Sequence, residues 1–358
     1  MSIYILNLIV VSVAGLFAER TSKVIDGKKK YNLIFIAIAT ISLICVSGFR
    51  YKVGTDYGNY SEIFIYLAGG KIEFTGGEFG MDIILNTVRQ FTANPQLFFM
   101  ITSIIINVGF VIFMVKNTDN IALSLYFYIT TFMYYLTMNG IRQYIASVIL
   151  VLGYKHLVSG NFKKYIIYVI CGMVFHSSCF IMIPVYFIVR KRSNSVWNVA
   201  ILMGTVFALL FYQPFLEILF ELLKYTNFYY YKDVLLTDVN GANPIRMVVW
   251  FAPVILTFMY LERARKVYGK EIDIILNLCY IGAIFMVLAT KHVFFARVTM
   301  YFDVYYLLLL PKLCNMFESK TNKILTVILM IAYLGYSTML LLSGDAWIYP
   351  YKYNLNLF

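Results

Sequence analysis

Ten mostly apolar runs, each close to the length that crosses a ~30 Å hydrocarbon core, divide this 358-residue chain. They lie near 3–18, 31–49, 96–115, 120–138, 141–158, 196–213, 246–261, 272–290, 297–316 and 323–343. A segment surrounded by lipid must satisfy its own backbone hydrogen bonds, so runs of this length are expected to be helices. Composition excludes a soluble fold: 61% of residues are hydrophobic and 13% charged, against about half and about a quarter in soluble domains. The fold class expected is an all-α polytopic integral membrane protein. It forms one membrane domain over 1–358, with extracytoplasmic loops near 50–94 and 212–245. The first run follows Ser2 with no basic n-region and no small-residue cleavage site. It reads as a retained helix rather than a signal peptide.

The net charge of +12 resides in short loops between apolar runs, which is how cytoplasmic loops look and argues against a nucleic-acid partner. Arg20, Lys23, Lys28, Lys29 and Lys30 place the first loop inside and the N-terminus outside. The loops with Lys116, with Lys155, Lys163 and Lys164, and with Arg190, Lys191 and Arg192 follow on the inside. So do those with Arg263, Arg265, Lys266 and Lys270, and with Lys312, Lys320 and Lys323. The five cysteines (Cys45, Cys171, Cys179, Cys279, Cys314) stand singly, without metal-ligand spacing, and read as small buried hydrophobes.

One stretch tests this sidedness. "YIIYVICGMVFHSSCFIMIPVYFIV" lies between Lys164 and Arg190 with basic loops at both ends. A single tilted span would invert every later loop against the positive-inside bias. A hairpin that breaks at His176-Ser177-Ser178 restores agreement. Its arms of about 12 residues reach only ~18 Å, so the expected form is a broken, re-entrant hairpin presenting His176 in the outer half of the membrane. The layout is then ten crossings plus two half-helices, with both termini outside. "GMDIILNTVRQF" (80–91) sets Ile83, Ile84, Thr87, Val88 and Phe91 on one helical face, suited to a helix lying in the interface.

Arg50, Arg142, Arg246 and Arg297 fall at outer boundaries in this layout. One arginine at a helix end is an ordinary snorkelling anchor. Four of them on the face where basic residues are disfavoured fit an anionic ligand. Guanidinium groups grip phosphate oxygens bidentately and do not deprotonate. Lys52 and Lys291 add charge nearby. Asp56 reads either as a cap for a helix starting near Tyr57 or as a base or sugar ligand. His176 reads either as a helix-break residue bonded to backbone or as a base poised near neutral pH. It is better placed than His156, near the inner surface, and His292 beside Lys291 stays open. Tyr51, Tyr57, Tyr60, Tyr229, Tyr230, Tyr231, Tyr301, Tyr349, Tyr351 and Trp347 enrich the outer face in aromatics, which an interfacial belt explains as well as a sugar groove. Asp-x-Asp, Walker A, Gly-x-Ser-x-Gly and His-Glu-x-x-His patterns are absent.

In order along the chain, "GFRYKVGTDYGNYSEIF" (48–64), "MNGIRQYIA" (138–146), "FHSSCFIMIPVYFI" (175–188), "FFARVTMYF" (294–302) and "WIYPYKY" (347–353) resemble the EpsG/Wzy-type family of bacterial exopolysaccharide and O-antigen repeat-unit polymerases. The resemblance implies a multi-span, GT-C-like helical protein of the cytoplasmic membrane whose site faces away from the cytoplasm. It implies joining of oligosaccharide repeats carried on undecaprenyl diphosphate, with no metal, cofactor or nucleotide sugar. The partners implied are the lipid-linked donor and acceptor, the bilayer, and a chain-length regulator and flippase of the same pathway. Residue by residue it points to Arg50, Gly54, Asp56, Tyr57, Asn139, Arg142, Gln143, His176, Arg297 and Pro350-Tyr351. Chemistry then assigns diphosphate and substrate binding to Arg50, Arg142, Arg297, Arg246, Tyr57 and Gln143, and the base to His176 or Asp56. A polymer ligase, a lipid-oligosaccharide flippase and a membrane O-acetyltransferase are the competing readings.

Overall fold

Helix α1 (Ser2–Arg20) turns its small and polar residues inward. Asn7, Val11, Ala14, Gly15 and Ala18 are buried, while Ile5, Leu6, Ile9, Val13, Leu16 and Phe17 are exposed. That is the reverse of a soluble helix and the usual arrangement in lipid, where small residues let backbones approach. A methyl group on Gly15 would lie 3.2 Å from the Leu125 side chain, and Asn7 Oδ1 accepts the Ser42 hydroxyl at 2.7 Å across to the next helix.

The computed structural model describes residues 1–70, 78–225, 229, 232, 235 and 241–358, as two compact units. The first unit is Met1–Ile183 with Leu310–Phe358. It contains α1, the antiparallel strands β1 (Lys23–Ile25) and β2 (Lys28–Lys30), α2 (Leu33–Gly48), α3 (Tyr57–Ala68) and α4 (Phe79–Val88). It continues with α5 (Gln96–Asn117), α6 (Ile121–Thr130), α7 (Met133–Leu136), α8 (Ile141–Leu152), α9 (Tyr154–Ser159) and α10 (Phe162–Met173). After α11 (Met182–Val189) the second unit, Pro184–Leu309, holds α12 (Val196–Leu210), α13 (Tyr212–Leu223), α14 (Pro244–Met259), α15 (Leu261–Tyr268), α16 (Glu271–Ala289) and α17 (Phe294–Val298). The chain returns to the first unit through α18 (Tyr306–Cys314) and ends with α19 (Ser319–Leu342) and an extended tail.

Of the ten expected spans, four are unbroken helices long and apolar enough to cross a bilayer: α1, α5, α16 and α19. Six result if the bent pairs α12–α13 (112°) and α14–α15 (79°) each count as one, among the described residues. The other runs are shortened or broken for local reasons. The 120–138 run breaks where Phe132 takes a left-handed φ of 74°, after Thr130 and Thr131 hydroxyls bond back to the Tyr126 and Phe127 carbonyls. The 141–158 run breaks at Gly153, against which the Tyr168 ring packs. The 297–316 run is split into α17, two 3-10 turns and α18. α4 forms as expected, but its buried side carries Met81, Leu85 and Val88, while Ile83 and Phe91 are exposed. The expected hairpin does break: α10 ends at Met173, His176 is extended (φ −156°) and a 3-10 turn runs from Ser177 to Ile181. Cys179 then returns against Gly172, where a methyl group would lie 2.6 Å from its Sγ. Tyr230 and Tyr231, and parts of the loops near 50–94 and 212–245, lie outside the described residues.

Within the first unit the polar loops gather at two ends of the helices. At one end, Glu19 pairs with Lys29 and accepts the Ile121 amide. Lys29 also reaches the Asp119 carbonyl, and Lys312 ion-pairs with the Asp119 carboxylate at 2.6 Å. Three of the basic loops expected inside are thus tied together. The opposite ends of α1, α2 and α5 carry the candidate site.

Candidate active site

Beyond Gly48 the chain must turn out of α2, and Arg50 directs the turn. Its side chain is 1% exposed. Nη1 donates to the Ser47 carbonyl at 2.6 Å, Nη2 to the Met138 carbonyl at 3.0 Å, and the guanidinium lies 4.8 Å over the Phe99 ring. Burial pulls its pKa down to about 10, so the group stays charged at neutral pH. Arg50 also bridges to Tyr353 of the tail, flanked by Tyr51 N–H to Lys352 O (2.9 Å) and Asn354 N–H to Phe49 O (2.9 Å). Gln96, fully buried at the start of α5, donates to the Gly48 and Arg50 carbonyls at 2.6 and 3.1 Å. Its Oε1 accepts the Tyr57 hydroxyl at 3.4 Å, and the Tyr57 ring stacks on Phe99 with centroids 4.2 Å apart.

Asn139 joins three segments. Its Nδ2 donates to the Ala346 carbonyl at 3.0 Å, and its Oδ1 faces the Asp56 amide at 3.5 Å. Gly54 is required beside it: φ is +96°, its amide bonds the Trp347 carbonyl at 2.9 Å, and a methyl group would lie 2.5 Å from Asn139 Oδ1. Asp56 occupies the N-cap position of α3 yet caps nothing there. Its Oδ2 instead accepts the Gly140 amide at 2.8 Å, which ties it to the residue that opens α8, the helix bearing Arg142. Of six non-glycine residues with positive φ in the described chain, Lys52, Ala346 and Trp347 all lie in this seam. Strained backbone concentrates where surrounding structure over-determines it, often at functional sites.

Arg142, in the first turn of α8, is the arginine of the first unit that reaches the surface of this seam. Its side chain is 35% exposed. Nε donates to the Tyr60 hydroxyl at 3.0 Å and Nη1 to Glu78 at 2.6 Å. Gln143, next in sequence, is 3% exposed and faces the interior. Glu78 leads into α4, whose Gly80 amide donates to the Val174 carbonyl at 2.8 Å. That contact brings the His176 turn to the same cluster. His176 Nδ1 and the Ser178 hydroxyl are 2.7 Å apart. The first unit thereby unites Arg50, Asp56, Tyr57, Arg142 and Gln143 with the turn that carries His176.

Arg246 and Arg297 belong to the second unit. Arg246 is half-buried in the first turn of α14 and Arg297 is exposed in α17. The Ala242 amide donates to the Ala289 carbonyl at 2.7 Å, which joins the start of α14 to the end of α16. His292 follows there, 4% exposed. Its Nδ1 accepts the Phe294 amide at 3.1 Å, and its Nε2 is buried without a hydrogen-bond partner. An amide only donates, so a neutral His292 keeps its proton on Nε2 and lacks the lone pair of a base. The other end of this unit holds Arg265, which clasps Asp273 through Nε (3.2 Å) and Nη2 (2.7 Å) and also pairs with Glu262. Among the described residues no group of three His, Cys, Asp or Glu side chains could hold a metal ion.

The EpsG family model matches residues 33–353, from the start of α2 to the tail residue bridged to Arg50. The chain belongs to the EpsG family. No curated protein and no solved structure matches it. Membership of the EpsG family and the apolar helices make this a membrane protein with a glycosyltransferase-like, polysaccharide-polymerase type of role.

Two residues of this cluster went unseen in the sequence. Gln96 is a polar residue opening a long apolar helix, and Glu78 is an acid at the N-cap of an amphipathic one. Each had that local signal, but only the fold reveals their partners.

Proposed function

We propose that this EpsG family member joins oligosaccharide repeats carried on undecaprenyl diphosphate, at the outer face of the cytoplasmic membrane, in a GT-C-like layout of ten crossings. A hydroxyl of the incoming lipid-linked repeat attacks the anomeric carbon of the growing chain. The bond to the carrier diphosphate breaks and the electron pair leaves on its oxygen. Arg142 stabilises that developing charge, since a fixed guanidinium is worth most where charge grows in the transition state. Arg246 and Arg297, on the second unit, keep a proposed role in binding diphosphate. Arg50 acts from beneath: its donors hold the Ser47 and Met138 carbonyls, and so it positions the turn leading to Arg142.

His176 is preferred as base. With its Nδ1 proton donated to Ser178 Oγ, its Nε2 carries the lone pair that accepts the hydroxyl proton. Asp56 is committed to the Gly140 amide and serves to orient α8. Tyr57 and Tyr60 are buried, so they brace the site, Tyr57 by stacking on Phe99 and Tyr60 by accepting from Arg142 Nε, rather than touch the sugar. The observation that carries this reading is the convergence of loop, hairpin and tail on the segments that hold Arg142, whose side chain is 35% exposed.

The test is the lipid-linked glycan of a deletion strain complemented with wild type or Arg142→Ala. Single repeats on the outer-leaflet lipid, restored to polymer by wild type alone, support the polymerase. Finished polymer held on the carrier indicates a ligase, and repeats confined to the inner leaflet indicate a flippase; either result rejects the proposal. Sidedness is tested by cysteines at Thr55 and Asn194, both exposed: an impermeant maleimide should label the first and not the second.

A further inference from the structure

Among the described residues Glu78 is the carboxylate paired with Arg142, and its own helix makes no use of that carboxylate. It stands at the N-cap of α4 without a side-chain bond to that helix. Its carboxylate goes instead to Arg142 Nη1 at 2.6 Å, with Glu78 itself 20% exposed. Arg142 is held from its Nε side by Tyr60, so the guanidinium is oriented independently of the carboxylate. A carboxylate oxygen at this distance stands where a phosphate oxygen would stand, because both are gripped by the same donor edge of arginine.

We propose that Glu78 is an internal competitor for Arg142, displaced when substrate diphosphate binds and re-paired as product diphosphate leaves. This rests on the assignment of Arg142 to the diphosphate. The physical need is release. After transfer, the carrier lipid keeps its diphosphate, and an unopposed arginine would hold product as firmly as substrate. A carboxylate waiting at the same donors weakens both and speeds departure. The Gly80–Val174 bond ties the start of α4 to the His176 hairpin, so Glu78 is anchored within reach rather than free to swing into solvent.

Inorganic diphosphate is the probe, titrated calorimetrically into the purified full-length protein, wild type and Glu78→Gln, Glu78→Asp and Arg142→Gln variants. Glu78→Gln should bind about fivefold more tightly than wild type, the scale of one partly exposed ion pair. Glu78→Asp, with its charge drawn back by one methylene, should tighten binding by less. With lipid-linked repeats, Glu78→Gln should lower KM and kcat together, as slowed product release requires, whereas a merely structural lesion lowers kcat without lowering KM. Both Glu78 variants binding like wild type, or more weakly, while Arg142→Gln loses binding, would overturn the competitor role and leave the Arg142 assignment standing. Arg142→Gln binding like wild type would overturn both.

Discussion

Arg142 and Arg265 are both partly buried arginines paired with carboxylates, yet they sit in opposite kinds of surroundings. In the second unit Arg265 meets two carboxylates, donates to the Ser193 carbonyl at 2.9 Å, and is 15% exposed. Asp273 in turn accepts the Ser193 amide at 2.8 Å, and Ser193 Oγ donates to Asn277 Oδ1 at 3.0 Å. With Arg192 also on Glu262 at 3.2 Å, two cations meet two carboxylates and the Arg265 donors are consumed, leaving a clasp that fixes the approach to α16. In the first unit Arg142 has one carboxylate, one tyrosine and a third of its side chain in the open. The difference teaches that an arginine's role follows from how completely its partners answer it. A bidentate, enclosed pair is architecture, and a half-answered one at a seam of strained backbone still has donor surface to offer.

Substitution of the two arginines separates these roles most widely. Arg142→Ala should lower polymer formed per folded molecule by about 100- to 1,000-fold, the usual loss for one oriented donor to developing charge, with the melting temperature little changed. Arg265→Ala should do the reverse. It strands Asp273, whose side chain is 11% exposed, and should cost about 3 kcal/mol of stability while polymer per folded molecule stays level. Similar activity losses in both variants, normalised to folded protein, would erase the distinction.

The two histidines make a second pair. His176→Ala should reduce turnover by about 100-fold, as removal of a general base does. His292→Ala should leave turnover within about tenfold, because its buried Nε2 keeps the proton. Wild-type turnover in His176→Ala would move the base elsewhere. Two glycines give the smallest contrast. Gly54→Ala meets both a positive φ and Asn139 at 2.5 Å, and should cost about 2–3 kcal/mol. Gly344→Ala has a positive φ (+75°) in the left-handed helical region and open space around it, and should cost about 1 kcal/mol. Thermal unfolding in detergent reads both.

The tail shows where reading the sequence stops. "WIYPYKY" stood out as a motif, but nothing local revealed that Tyr353 bridges to Arg50, 303 residues earlier, or that Trp347 receives the Gly54 amide. Arg50 itself was legible as a charged boundary residue. Its burial beneath Phe99 and two carbonyls was not, since a surface anchor and a buried strut have the same local sequence. The break at His176 was visible because charge on both sides of a short apolar run constrains topology without any tertiary information. The breaks at Phe132 and Gly153 were missed, because hydropathy records only whether a segment is apolar. A left-handed residue or a packed ring decides whether it is continuous.

Sequence by itself determined the class, the family and the chemical vocabulary. Apolar length requires helices in lipid, and the ordered motifs of residues 48–353 carry the EpsG resemblance that the family match over 33–353 establishes. Tertiary structure alone decided which polar groups are spent and which are available. Hydrogen-bond donors are used up by partners distant in sequence, as Asp56 is by Gly140 and Arg50 by Met138. Only folding brings those partners within 3 Å.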